Sequence, residues 1–271
     1  SGKTQAVPAS VTMATDAWDV EPTIGSSEYL ALRPRAERFR SLVPSCLYAI
    51  TCCRPEGAYA VGKCCQHLDN PGEIHLQACE QLFEYLVTTA DYGITYRPGS
   101  TKELESSYSP LKEGMFALSD SNFSTGRSTS GNVTMYNGGA ISWTSKRQPV
   151  TSLSSAEAEY YAASSAGQDI VYFRHLFVEL GMKLCGPTIL KVDNSACVKL
   201  AQHFESFNRA KHIDRRVNFL TDYENAGLLK MELVSTHDNC SDIFTKPLAK
   251  EKFGNFRRDM GVSAISRFAK Y

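Results

Sequence analysis

The period of the apolar positions changes several times along the chain, and each change predicts a different element. Residues 1–37 hold no sustained period, are mostly small and polar, and carry scattered prolines, which predicts an extended leader. From Phe39, "FRSLVPSCLYAITCC" repeats at helical spacing until Arg54-Pro55 interrupts it. "GAYAVGKCCQHL" continues as a second helix, and Asn70-Pro71-Gly72 marks a turn. "EIHLQACEQLFEYLVTT" then puts Leu76, Cys79, Leu82, Phe83 and Leu86 on one stripe of an amphipathic helix, and "YGITYRPGS" reads as a strand closed by Pro98-Gly99.

After a polar stretch the grammar turns to strands. "GMFALSD" is a short apolar strand ending in Asp120, and "GNVTMYNGGAISWTSK" is a hairpin turning at Asn137-Gly138-Gly139. A long helix follows from Ser154 to about Leu180, with Gly181 just past its end. "PTILKVD" is a strand ending in Asp193 and "SACVKLAQ" a short helix. A further helix spans 208–225, "LLKMELVS" is a strand, and a last helix starts near Ser241. The order predicts an α/β fold, a mixed sheet flanked by helices, preceded by a smaller, mainly helical segment. The expected divisions are a leader over 1–37, a helical segment over 38–97, a linker over 98–112, the α/β domain over 113–262 and a tail over 263–271.

Composition constrains this picture mainly by exclusion. The chain has 271 residues, 42% apolar and 21% charged, which is ample for a core. Its formal net charge is zero, so any nucleic-acid surface must be a local basic patch. No apolar run approaches the roughly 18 residues of a membrane span, and no stretch reads as a secretory leader, so neither is expected here. The chain begins Ser-Gly-Lys, as an excised piece of a longer protein would. Its nine cysteines are odd in number and include two adjacent pairs, which fits neither a disulfide scaffold nor a zinc ribbon. Packing in a reducing compartment, cytoplasmic or nuclear, is the expectation.

The chemistry centres on four acids at element ends. Asp120 and Asp193 each follow a strand, and Asp242 opens the last segment, where Asp193 and Asp242 could equally serve as helix caps. In "SLSSAEAEYYAASSAG", Glu157 and Glu159 point roughly 200° apart on a helix. From Glu159 the helical spacing runs through Ala162, Ala166, Ile170, Phe173 and Phe177, an apolar face. From Glu157 it runs through Tyr161, Ser164, Gln168, Tyr172 and His175, a polar one. Glu159 therefore aims at the sheet, where a lone carboxylate is costly unless a cation meets it. Asp120, Glu159, Asp193 and Asp242 make a four-carboxylate set suited to Mg²⁺ or Mn²⁺, and two such ions about 4 Å apart can clamp the attacking and leaving oxygens of a phosphodiester.

The motifs "SKRQPVTSLSSAEAEYYAA", "VDNSA", "NRAKHIDRRVNF" and "CSDIFTKPL", in this order, resemble the ribonuclease H domain of copia-type LTR retrotransposon polyproteins. The upstream "YAITCCRPEGAYAVGKCCQHLDNPGEIHLQACEQLFEYLVTTADYGITY" resembles the connection region at the end of their reverse transcriptase. The resemblance implies a ribonuclease H-like fold with a mixed five-stranded sheet. It also implies two Mg²⁺ ions, replaceable by Mn²⁺, and cleavage of the RNA strand in an RNA/DNA hybrid. The upstream polymerase portion of the polyprotein would be a partner, in the cytoplasm, in virus-like particles or in the nucleus. Asp120 in "LSD", Glu159, Asp193 and Asp242 match the family's acids. The chain departs from the family at Asn122 and Phe123, where an acid and a tryptophan are usual, and in the shorter loop "SNFSTG". His237 stands where the family tends to have an acid and is a candidate to help product leave, as a loop histidine does in cellular ribonucleases H.

Nucleic-acid contacts are expected from Arg209, Lys211, His212, Arg215 and Arg216 on one basic helix, from Lys146 and Arg147 at the hairpin, and from Ser128 and Asn194 at sugar hydroxyls. The competing expectation is a module of a decayed element that binds nucleic acid or docks the polymerase without catalysis.

Overall fold

The computed structural model describes residues 6–96, 114–124, 126–182, 184, 186–202 and 211–265, the side chains of 200–202, 211–215 and 217 excepted. The expected linker and most of the expected tail lie outside these residues. The chain forms two units, one of residues 1–95 with 246–271 and one of residues 96–245.

In the first unit, helix α1 (Ser27–Cys53) begins well before the expected start at 38. Ser26 caps it by accepting from the Tyr29 N–H, and Pro34 and Pro44 lie inside it. An interior proline costs about 3 kcal/mol. Ala36, Phe39, Val43, Cys46 and Ile50 are buried at helical spacing, and each large buried side chain returns about 1.5–3 kcal/mol. The leader is not extended either. It forms two 3-10 turns, Val11–Ala14 and Asp16–Asp19, and buries Met13 and Trp18. Trp18 sits edge-on to His75 and His67, whose rings stack at 3.9 Å.

Helices α2 (Ala58–Cys65) and α3 (Glu73–Thr88) follow the pattern, but the buried stripe of α3 is rotated from the expected one: Tyr85 is buried and Phe83 exposed. The Tyr85 hydroxyl donates to Glu56, which also pairs with the buried Arg54 at 2.8 Å. Strand β1 (Tyr92–Ile94) pairs antiparallel with a strand at the far end of the chain, named below as β7.

The second unit begins with β2 (Phe116–Asn122), β3 (Thr129–Tyr136) and β4 (Gly139–Arg147), an antiparallel meander. Asn137 and Gly138, both at positive φ, make its two-residue turn. Helix α4 (Ser155–Glu179) crosses next, and the chain returns through β5 (Thr188–Val192), α5 (Ser195–Gln202), α6 (Lys211–Asn225) and β6 (Leu229–Leu233). β5 runs parallel to both β2 and β6, giving the strand order β4-β3-β2-β5-β6, the mixed five-stranded sheet that the resemblance implies.

Gly181 ends α4 in a Schellman motif: Met182 N–H donates to Phe177 O and Gly181 N–H to Val178 O. α4 is buried on two sides. Ala162, Ala166 and Ile170 are fully buried, as the stripe predicts, and so are Ala163, Ser164 and Gly167 on the adjoining side. A Cβ on Gly167 would lie 2.8 Å from Leu220 Cδ2 and 3.1 Å from Phe219 Cε1, so α6 closes on α4 where an added methyl would make those side chains shift.

The expected last helix does not start at Ser241. A 3-10 turn, Cys240–Phe244, stands there, and helix α7 (Lys250–Asp259) and strand β7 (Val262–Ala264) belong to the first unit. The α/β unit thus ends at Thr245 rather than at 262. Among the described residues, no helix is long and apolar enough to cross a membrane.

Candidate metal centre

Sheet register puts the first two acids side by side. Ser119 pairs with Val192 across the parallel β2–β5 ladder. The next residues, Asp120 and Asp193, therefore emerge together at the C-terminal edge, where α/β sheets place their sites. Glu159 enters from the first turns of α4. Asp120, Glu159 and Asp193 each bring a carboxylate oxygen within 4.8 Å of the others, and among the described residues this is the one such acidic, His or Cys group.

Glu159 is 6% exposed, and its Oε2 is buried without a hydrogen-bond partner. The Ser121 N–H donates to its Oε1 at 3.2 Å. Burial, and then the charges of Asp120 and Asp193, push its pKa from 4.5 up to about 8. A nearby positive charge would favour the ionised form of a carboxylate so placed. Three convergent oxygens with one orphaned atom fit a divalent metal, and all-oxygen donors favour a hard ion over zinc.

Glu157 belongs to the helix end instead. Ser154 Oγ accepts from the Glu157 N–H, and Glu157 Oε2 accepts from the Leu153 N–H at 2.7 Å, so the two side chains together secure the start of α4. Capping is likewise taken off the two aspartates. Asn194 Oδ1 accepts from the N–H groups of Ala196 and Cys197, so Asn194, not Asp193, caps α5. The Asn239 side chain accepts from the Ser241 N–H and caps the turn that carries Asp242. Asp242 is fully buried on that turn and is not one of the three clustered acids.

Sequence reasoning missed the residues that hold this frame. Gln148 is buried with every polar atom of its side chain used: Nε2 donates to Ser130 Oγ and to Ala158 O, and Oε1 accepts from Ser152. It ties β3 to the first turn of α4, beside Glu159. Asn239 Nδ2 donates to Ser119 O at 2.9 Å, and the Thr245 hydroxyl donates to Asp120 Oδ2. Both Gln148 and Thr245 lie inside the family-like motifs, but nothing in a linear string marks the partner of a buried donor.

The other expected contact residues separate into groups. Lys146 and Arg147 are exposed at the end of β4. Arg216 is half-buried, its guanidinium 3.5 Å from the centre of the Tyr161 ring. Ser128 is a correction: it is fully buried, so its side chain offers no surface to a sugar. Asn194 has its oxygen committed to the cap. His237 is exposed on the loop after β6. Arg209 lies outside the described residues, as do the side chains of Lys211, His212 and Arg215.

No family model matches the chain. It is 32% identical over 84% of its length to the retrovirus-related Pol polyprotein from transposon RE1 of Arabidopsis thaliana. It is 30% identical over 79% of its length to the corresponding polyprotein from transposon TNT 1-94 of Nicotiana tabacum. The chain spans only 15% and 16% of those relatives. Among solved structures, LC11-RNase H1 in complex with an RNA/DNA hybrid matches 46% of this chain and 88% of its own, at 12% identity and a TM-score of 0.37.

Proposed function

This chain belongs to the Pol polyproteins of copia-type retrotransposons, and on that premise we propose that its α/β unit is a ribonuclease H that hydrolyses the RNA strand of RNA/DNA hybrids during reverse transcription. The observation that carries the reading is the buried Asp120–Glu159–Asp193 cluster at the C-terminal edge of the sheet, with Glu159 Oε2 buried and unpaired by any hydrogen bond.

The residues divide the work. Asp120, Glu159 and Asp193 hold the metal, with Asp242 supplying a fourth carboxylate from its turn. Mg²⁺, two ions with Mn²⁺ as substitute, is the assignment for an all-oxygen set that acts on phosphodiesters. When bound, the ions supply Lewis-acid stabilisation of charge on the phosphate oxygens. Burial of Glu159 and Asp120 keeps water from competing for the carboxylates, and the Ser121 N–H orients Glu159 Oε1. Lys146, Arg147 and Arg216 lie along the hybrid's phosphates. Asn194 offers only its Nδ2 to a sugar hydroxyl. Exposed His237, on a loop at the same edge of the sheet, assists product departure.

The remaining polymerase portion of the polyprotein is the expected partner. The odd, partly adjacent cysteines support a reducing compartment, cytoplasm or nucleus.

The test is cleavage of a labelled RNA strand in an RNA/DNA hybrid with Mg²⁺, beside EDTA and Asp242→Asn controls. Metal-dependent cutting of RNA alone, lost in the variant, is the expected result. Tight hybrid binding without cutting would overturn it in favour of a non-catalytic binding module.

A further inference from the structure

The segment that delivers Asp242 is anchored on several sides. Asn239 Nδ2 donates to Ser119 O, one residue before Asp120. The Ser145 hydroxyl of β4 donates to Phe244 O at 2.6 Å. Thr245, which ends the segment, is fully buried. Its side chain straddles a register pair of the β2–β3 ladder, Asp120 opposite Gly131. A Cβ built on Gly131 would lie 2.8 Å from the Thr245 Cγ2 methyl and 2.9 Å from Ser241 O, so the methyl occupies the space over Gly131. The hydroxyl then faces Asp120 Oδ2.

That hydroxyl also lies 3.1 Å from Asp242 O, but it has one proton to give. Asp242 O already accepts from the Thr245 N–H at 3.1 Å. An ionised carboxylate is a stronger acceptor than a carbonyl. The proton therefore goes to Asp120. With its methyl held over Gly131, the Thr245 side chain is restricted at χ1, so the hydroxyl oxygen is already placed against Asp120 Oδ2 before any ligand arrives.

We propose that Thr245 is a positioning residue of the metal centre: its hydroxyl fixes the orientation of the Asp120 carboxylate and registers the Asp242 turn against it. The inference rests on the ribonuclease H reading of the site. Outer partners of metal-ligating groups typically contribute about 10–100-fold to metal affinity.

Thr245→Val replaces the hydroxyl by a methyl of nearly the same volume, and Thr245→Ser keeps the donor. Both are made in the full chain. Mn²⁺ binding is followed by its free-ion electron paramagnetic resonance signal, with hybrid cleavage against Mg²⁺ concentration and urea stability in parallel. The expected result is a folded Thr245→Val protein whose Mn²⁺ dissociation constant and Mg²⁺ half-saturation both rise about 10–100-fold, with Thr245→Ser recovering most of each. Wild-type Mn²⁺ affinity in Thr245→Val would overturn the inference. So would a Thr245→Ser protein as impaired as Thr245→Val, since altered packing rather than the missing donor would then be the cause. If Thr245→Val does not fold, Thr245→Ala, which adds no bulk, is measured in the same way. A wild-type protein that binds Mn²⁺ yet leaves the hybrid uncut would defeat the nuclease reading, while the Mn²⁺ comparison would still decide the role of Thr245.

Discussion

Glu159→Gln separates what the site costs the fold from what it does for chemistry. Glu159 has its carboxylate buried beside two others, with a pKa raised from 4.5 to about 8 by burial first and by Asp120 and Asp193 next. Across that window the folded protein holds a proton that the unfolded chain releases, so stability falls as pH rises from 4.5 to about 8 and is flat above it. At about 1.4 kcal/mol for each pH unit between the two values, the loss in metal-free protein is on the order of 5 kcal/mol. Gln keeps the shape, carries no charge, and donates into the carboxylates that repel the glutamate. In EDTA, Glu159→Gln is expected to match the wild type near pH 4.5 and to exceed its stability by a margin growing toward that value at pH 8. Added Mg²⁺ narrows the margin by stabilising only the protein that binds it. The variant should cut no hybrid at any pH. Urea titrations followed by circular dichroism across this pH range measure the margin directly. Parallel pH profiles for the two proteins, or a Glu159→Gln protein less stable at pH 8, would refute the reasoning.

Other substitutions probe the frame around the site. Gly131→Ala inserts a methyl against Phe244 Cβ, Thr245 Cγ2 and Ser241 O, all within 2.9 Å. It is expected to cost about 1–3 kcal/mol and to lower cleavage by shifting the Asp242 turn, read by urea titration and hybrid cleavage side by side. Asn194→Ala removes the α5 cap and is expected to cost about 1 kcal/mol in the same titration, while Asp193, which does not cap, keeps cleavage metal-dependent. Replacing Lys146 and Arg147 by alanine is expected to reduce the salt dependence of hybrid binding by about one in slope for each phosphate no longer neutralised, leaving the Mg²⁺ requirement unchanged.

Periodicity and punctuation settle what is local. The alternation and the Asn137-Gly138 turn specify the β3–β4 hairpin. The stripe from Glu159 to Phe177 selects the glutamate that faces the sheet, because a helix fixes which residues share a side whatever it packs against. The acids at strand ends mark the site's edge because open α/β sheets place their sites at the C-terminal ends of their strands.

What the sequence left open depends on partners far along the chain. Pro34 falls in the stretch that reads as an extended leader, yet α1 runs through it as through Pro44, because the buried stripe from Ala36 to Ile50 outweighs two missing hydrogen bonds. Asp193 and Asp242 read equally well as caps until Asn194 and Asn239 take those bonds. Gly131, Gln148 and Thr245 carry no signal of their own, since a close approach or a buried donor has meaning only once its neighbour is in place. The composition of the site was thus written locally, residue by residue. Its geometry was decided by the β2–β5 register and by a turn tethered to Asp120 across 125 positions of sequence, because only tertiary packing brings such distant groups within reach of one ion.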